Sequence, residues 1–184
     1  MAIEVLCTCG NTWKAGDGAR GMKQSCPRCK ATIVIGQAPP NIRLKLALAV
    51  AAGRDDAVSR RELFAAVREG TFLVPMRKQP QRLDVDGAFA DAFFKETGSG
   101  ARALIAFTDE DEVTRWNPRS PFCPAVELAA LMAAMADVRA AACVINSESV
   151  PGLFLAMEHF LDLIQGKDPK IGRLADYITT GQRR

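Results

Sequence analysis

Histidine and long apolar runs are scarce in this 184-residue chain. It has a single histidine, His159, although histidine is the side chain that most readily exchanges a proton near neutral pH. No apolar run reaches 18 residues, so the sequence predicts no membrane-spanning helix. Neither the Walker phosphate-binding loop nor the G-x-S-x-G nucleophile elbow occurs. We therefore expect a protein that is not an enzyme and that has no membrane partner.

The N-terminus also lacks the features of an export signal. The first six residues form too short an apolar stretch for a secretory signal and include Glu4. We expect a cytoplasmic protein whose cysteines are kept reduced.

Four of the six cysteines form two close pairs near the N-terminus. Cys7 and Cys9 make the first pair, Cys26 and Cys29 make the second, and 16 residues separate the pairs. Two such pairs, brought together by a short hairpin, are typical of a tetrahedral thiolate site that holds structural Zn²⁺. Such a metal is expected to stabilise residues 1–37, which are too few to form a sufficient apolar core.

The same four cysteines allow three other interpretations. Two disulfides would need an oxidising compartment, which nothing else in the sequence indicates. A redox Cys-x-x-Cys would need a strand that leads Cys26 into a helix, and no such pattern is present. Iron on the same four thiolates would give a rubredoxin-like electron carrier, but no flavin or haem signature accompanies it.

The N-terminal segment carries the whole formal charge excess of the chain. Residues 1–37 contain five basic and two acidic side chains, and the rest of the chain is balanced, so the formal net charge of +3 lies on this segment. The basic residues are Lys14, Arg20, Lys23, Arg28 and Lys30. An excess this small is typical of an ordinary solvated surface, and binding to nucleic acid is the alternative interpretation.

A proline-containing linker predicts the boundary between two domains. Pro39 and Pro40 make a stiff, extended connection and end the last ribbon strand, predicted at residues 32–35. We place a zinc ribbon at residues 1–37 and a mixed α/β domain of the α+β type at residues 41–184.

The first half of the larger domain reads as two helices and two strands. Apolar residues alternate along residues 42–50, as in a strand, but the composition favours a helix that ends at Gly53, with Ile42, Leu46, Ala49 and Val50 on one face. Ser59 is predicted to cap a helix over residues 60–69 that buries Leu63, Phe64 and Val67. A strand is expected at residues 71–75, followed by a long polar excursion with a second strand near residues 82–85.

The next segment reads as a buried strand and an acidic helix start. Residues 101–107 have the composition of a buried strand, and Thr108 is predicted to cap the helix that follows. Four carboxylates crowd its first turn, which is expected from the helix dipole alone, whereas a metal site or a general acid is the alternative.

The last third is predicted to contain an apolar helix, two strands and two further helices. The apolar helix covers residues 125–140, and its alanine face is expected to be covered by a C-terminal helix bearing Ile171, Leu174 and Ile178. An oligomer contact is the alternative. Strands are expected at residues 143–146 and 152–155. A helix that ends at Gly166 is expected to carry an apolar stripe of Met157, Phe160, Leu161 and Ile164. Cys123 and Cys143 are expected to be buried structural thiols and His159 a surface side chain, with a thiol–His159 dyad as the alternative.

The body resembles the N-terminal domain of the SseB-like (enhanced serine sensitivity) proteins over residues of about 55–165. The most specific segment reads FTDEDEVTRW at residues 107–116, and it follows RREL at 60–63 and FLVP at 72–75. The apolar helix and the strand near Ile145 come in the family's order. The resemblance implies a compact domain in which helices flank a sheet, and it carries over no catalytic residue. We expect a cytoplasmic adaptor or regulatory protein that binds a protein partner or a small ligand.

Overall fold

The computed structural model describes residues 3–6, 11–16, 23–34, 41–78, 86–117, 122–148 and 151–179. It divides into two compact units, Met1–Ile42 and Arg43–Arg184. The predicted linker prolines lie outside the described residues. No helix in the described ranges is long and apolar enough to cross a membrane.

The N-terminal unit contains two antiparallel hairpins. Strand β1 (Ile3–Leu6) pairs with β2 (Thr12–Ala15), and β3 (Lys23–Ser25) pairs with β4 (Thr32–Val34). Each predicted cysteine pair falls in the connection of one hairpin, because Cys7 and Cys9 come between β1 and β2, and Cys26 and Cys29 come between β3 and β4.

The larger unit is an α+β domain, which confirms the predicted fold class. Its helices are α1 (Ile42–Gly53), α2 (Ala57–Arg68), α3 (Glu110–Trp116), α4 (Leu128–Asp137) and α5 (Met157–Ile164). Its strands are β5 (Thr71–Leu73), β6 (Phe94–Glu96), β7 (Arg102–Ala106), β8 (Ala125–Glu127), β9 (Ala142–Ile145), β10 (Gly152–Ala156) and β11 (Ile178–Thr179).

Five of these strands form one mixed sheet in the order β11-β10-β9-β7-β6. Strands β7 and β9 are parallel neighbours at its centre, and the other pairs are antiparallel. Strands β5 and β8 form a separate two-stranded sheet. Because β7 and β9 run parallel, their carboxyl ends meet at one edge of the sheet.

Alternate residues of the central strands enter different apolar clusters, as the two-residue repeat of a strand requires. Leu104 and Ile145 lie in the main core with side chains of α1, α2, α4 and α5. Ile105 and Phe107 pack instead with Val113 of α3. Helices therefore flank the sheet, as the sequence predicted.

Helix α1 forms where it was predicted but buries a different face. Leu44, Leu48 and Ala51 are buried, whereas Leu46 and Val50 are 62% and 49% exposed. Both sets have helical spacing, so the periodicity alone did not select the buried one. The predicted face of α5 is wrong only in part, because Phe160 is buried as predicted, whereas Leu161 and Ile164 are exposed and Leu163 is buried in their place.

Two predicted helix caps are wrong by one to three residues. Asp56, rather than Ser59, caps α2, and its carboxylate accepts the Ser59 N–H at 2.8 Å. Asp109, rather than Thr108, caps α3 and accepts the Glu112 N–H at 3.1 Å. Aspartate, serine and threonine all cap helices, so the sequence alone did not decide between neighbouring candidates. The backbone conformation at the start of each helix decided which side chain accepts the N–H three residues further along.

The predicted C-terminal helix is absent from the described residues 151–179. The segment makes one 3-10 turn (Leu174–Asp176) and then β11, which pairs with β10 at the sheet edge. Leu174 and Ile178 enter the main core instead of covering α4. On α4 itself Ala134 is buried, whereas Ala129, Ala133 and Ala136 remain exposed. The first three residues of the predicted helix over 125–140 belong to β8.

Strand β6 was not predicted, and the predicted strand near residues 82–85 lies outside the described residues. β6 is three residues long at the edge of the sheet, and its sequence Phe-Lys-Glu has no alternating pattern. The Arg102 guanidinium covers the Phe94 ring, with 4.5 Å from its carbon to the ring centroid. Pairing with β7, rather than local propensity, therefore defines this strand.

Candidate functional site

The turn that carries Cys26 and Cys29 is tightly hydrogen-bonded. The Cys26 N–H donates to the Ala31 carbonyl at 2.8 Å, and the Lys30 N–H donates to the Cys26 carbonyl at 3.0 Å. Lys30 takes a φ of 63°, in the left-handed region that a chain adopts to reverse sharply. Cys26 is buried and Cys29 is exposed. The two cysteines therefore lie on one compact turn between paired strands.

The other cysteine pair, Cys7 and Cys9, lies outside the described residues, but its neighbour Asn11 is described. The Asn11 side-chain amide donates to the Cys26 sulfur, with 3.9 Å between Nδ2 and Sγ. Asn11 follows the segment that carries Cys7 and Cys9 after one glycine. The end of the first hairpin connection is thus close to the sulfur of the second.

A metal cluster is not visible among the described residues. Their histidine, cysteine, aspartate and glutamate side chains form no group of three or more that could hold a metal ion. Since Cys7 and Cys9 are outside those residues, the four-cysteine zinc site stays a prediction.

In the body, a buried polar cluster lies at the carboxyl ends of the parallel strands β7 and β9. It joins Thr108 and Asp109, which follow β7, to Asn146, which follows β9. The Thr108 N–H donates to Asn146 Oδ1 at 3.0 Å, and the Asn146 amide donates back to the Thr108 hydroxyl at 3.0 Å. Asn146 has a φ of 57°, which asparagine tolerates better than most residues.

Helix α1 reaches this cluster through one cation. Lys45 Nζ lies 2.9 Å from Asp109 Oδ2, and the Thr108 hydroxyl donates to the same oxygen at 2.8 Å. Burial raises the pKa of Asp109, but the hydrogen bonds from Lys45 and Thr108, the Lys45 charge and the Glu112 N–H outweigh it and lower the pKa overall. Asp109 is therefore an ionised, fully partnered carboxylate that connects α1, β7 and α3.

The acidic run at residues 109–112 is consistent with a structural role. Asp109 caps α3, and Glu112 is buried and paired with Arg115 at 2.7 Å. The residues of the most distinctive sequence segment thus bond mainly to one another and to neighbouring elements. This arrangement fits the helix-dipole interpretation.

The remaining thiols and the histidine do not have the properties of a nucleophile and its base. Burial raises the pKa of Cys143 far above its ordinary value, and burial with the nearby Glu110 raises the pKa of Cys123 to about 11. Both are therefore thiols rather than thiolates at neutral pH. His159 is buried, not at the surface as expected, and its Nδ1 accepts the Ala156 N–H at 3.2 Å. Its ring also meets Tyr177 edge-on at 5.3 Å.

One glycine-rich segment matches a nucleotide-binding sequence pattern, and its neighbouring elements decide how the match is interpreted. Gly16, Gly18 and Gly21 match the pattern G-x-G-x-x-G, which binds a dinucleotide when it follows a strand and opens a helix. Here the segment follows β2, and the next described element is strand β3. Gly18 and Gly21 lie outside the described residues, and the hairpin context does not favour a dinucleotide site.

Taken together, a cysteine-bearing hairpin unit precedes an α+β domain whose most distinctive polar residues tie its helices to its sheet. The family model of the SseB protein N-terminal domain matches residues 44–159, from α1 to α5. The chain belongs to this family. The match begins earlier than the resemblance indicated and includes Lys45, so the Lys45–Asp109 pair lies within the family domain. No curated protein and no solved structure matched the chain.

Proposed function

We propose that this protein is a non-enzymatic adaptor or regulatory protein built from two modules. The ribbon, residues 1–37, would be folded around one structural Zn²⁺ on Cys7, Cys9, Cys26 and Cys29. The SseB domain would bind a protein partner or a small ligand. The observation that carries the metal part is the contact between Asn11 and the Cys26 sulfur, since Asn11 follows the segment with Cys7 and Cys9 after one glycine.

The chemistry of the donors supports zinc in a structural role. Four thiolates make a closed tetrahedral site that leaves no position for water or substrate. Binding of zinc to such a module contributes about 10–16 kcal/mol in apparent terms, comparable with the stability of a whole domain. A unit that consists of two short hairpins has much to gain from such a site.

The side chains of the body support a role in binding rather than in catalysis. Its two thiols are protonated at neutral pH, and its main polar cluster is occupied with internal bonds. In contrast, Leu46 and Val50 lie one helical turn apart on α1 with much of their surface exposed. Exposed apolar side chains grouped on one helix face suit contact with a protein.

Metal analysis tests the ribbon. Purified protein should contain about one zinc per chain, as four thiolates bind one tetrahedral ion. Cys26→Ser should abolish metal binding and unfold the ribbon while the body stays folded, and Cys123→Ser, which alters a thiol of the body, should keep the zinc. Protein with neither zinc nor iron, and with two disulfides by mass spectrometry, would contradict the metal site.

Affinity capture tests the adaptor role and its alternative. Full-length protein, a variant lacking residues 1–37, and Leu46→Lys/Val50→Lys protein would be compared with and without nuclease. A protein partner that survives nuclease and is lost with one module assigns the contact to that module. Partners lost on nuclease treatment would favour nucleic acid, for which the five basic ribbon residues limit the salt slope of log affinity to about 4.5 on duplex DNA.

A further inference from the structure

We infer that Asn11 is a positioning residue for the ribbon metal, acting through an N–H···S hydrogen bond to the Cys26 sulfur. The inference rests on the metal site proposed above and adds a residue that the cysteine pattern does not reveal. It is carried by the 3.9 Å separation between Asn11 Nδ2 and Cys26 Sγ.

The environment of Cys26 gives this bond its importance. Cys26 is completely buried, and a buried thiolate is costly unless donors or a cation offset its charge. The backbone N–H of Cys26 itself is used by Ala31. A side-chain amide is a suitable donor, because its N–H stabilises the negative charge on sulfur while the amide itself carries neither a charge nor a titratable proton.

The place of Asn11 in the chain gives it a second effect. It lies between the segment with Cys7 and Cys9 and the first residue of β2, Thr12. Its contact spans 15 residues to reach Cys26. The bond therefore holds Asn11, the residue that follows this segment, beside Cys26 before metal enters, which reduces the ordering needed for four thiolates to converge.

Two variants separate the hydrogen bond from charge and packing. Asn11→Ala removes the donor, and Asn11→Asp keeps the shape while replacing the donor with a carboxylate oxygen. Gln24 provides matched controls, since it is an amide side chain on β3 of the same unit. Gln24→Ala and Gln24→Glu make the same chemical changes near Cys26 without the contact to its sulfur.

The measurement is Co²⁺ and Zn²⁺ binding to the full chain, by competition with a chromophoric chelator under reducing conditions. Both Asn11 variants should bind about 10- to 100-fold more weakly than the wild type, the usual effect of losing an outer-shell partner. Both Gln24 variants should bind like the wild type.

A spectroscopic readout distinguishes this role from general support of the fold. At saturating Co²⁺, loss of the N–H···S bond raises the electron density on sulfur. The sulfur-to-cobalt charge-transfer bands should then move to lower energy in both Asn11 variants and stay in place in both Gln24 variants.

The outcomes separate the two proposals. Wild-type protein that binds neither metal would overturn the zinc ribbon and the role of Asn11 together. Wild-type protein that binds metal, with Asn11 variants that match the Gln24 variants in affinity and spectrum, would overturn the role of Asn11 alone.

Discussion

The buried ion pair between α1 and the sheet edge offers the sharpest test of the body's structure. Lys45→Met keeps most of the aliphatic length of the side chain and removes its charge. Asp109, which is only 3% exposed, then loses the cation 2.9 Å away. The carboxylate keeps the Thr108 hydroxyl and the Glu112 N–H as donors.

The expected loss follows from these partners. Removing one member of a buried ion pair typically costs about 3–5 kcal/mol, because the other charge is left uncompensated. Here two donors to Asp109 remain, and the Lys45 side chain is 35% exposed, so its own desolvation was incomplete. We therefore expect a loss of about 2–3 kcal/mol at pH 7, which is below that range. With a typical denaturant slope this lowers the urea midpoint by about 1 M.

The loss should shrink on acidification. In the wild type the pKa of Asp109 is lowered, so its stabilisation is present above the ordinary carboxylate pKa and is lost as the pH falls through the lowered value. In Lys45→Met burial raises that pKa, since the main opposing partner is gone. Asp109 then takes up a proton as the pH approaches 4, and the cost of an unpaired buried charge disappears.

Urea unfolding at pH 7 and pH 4 measures both effects. A Trp13→Phe background leaves Trp116 as the single tryptophan, and its ring lies 5.3 Å from Phe93 in the body. Arg43→Met is the matched control, because it removes a cation from the same helix whose partners are exposed. Equal midpoints for the Lys45 and Arg43 variants, or a gap that does not change with pH, would refute the reasoning.

Three further predictions concern the body. Cutting the chain after Gly166 removes two buried side chains of the 3-10 turn and β11, and should cost about 3–6 kcal/mol in urea unfolding; an unchanged midpoint would show that the segment does not stabilise the core. Asn146→Gly should lose about 1–3 kcal/mol with its hydrogen bonds, and Asn146→Ala about 1 kcal/mol more from its positive φ; equal losses would exclude backbone strain. The Ser59 N–H and hydroxyl lower the pKa of Asp56 to about 2. NMR titration should therefore find the pKa of Asp56 near 2 in the wild type and higher in Ser59→Ala. An unshifted pKa in the wild type would contradict the cap.

The sequence by itself determined the elements whose pattern is local. The buried run at β7, the amphipathic pattern of α2 and the apolar residues of β9 were all predicted, because strand and helix periodicities are properties of neighbouring residues. The family was likewise indicated by the contiguous segment at residues 107–116 and is shown by the match over residues 44–159. Turns at the cysteine pairs were predicted for the same reason, and Cys26 and Cys29 lie on a turn between β3 and β4.

Only the tertiary structure decided which of several equivalent local choices is used. Helix α1 has two apolar sets at helical spacing, and packing on the core selected the one with Leu44 and Leu48. The C-terminal segment became a strand because the edge of β10 offered unpaired hydrogen-bonding groups, whereas its own sequence also suited a helix.

The partners within the polar cluster could not be predicted from the sequence either. Thr108 and Asn146 are 38 residues apart, and they meet because β7 and β9 are parallel neighbours whose carboxyl ends share one edge. Lys45 joins them only after α1 has packed with its Leu44 side inward. Local patterns therefore determined which elements form, and the pairing and packing of those elements determined which charged and polar groups became partners.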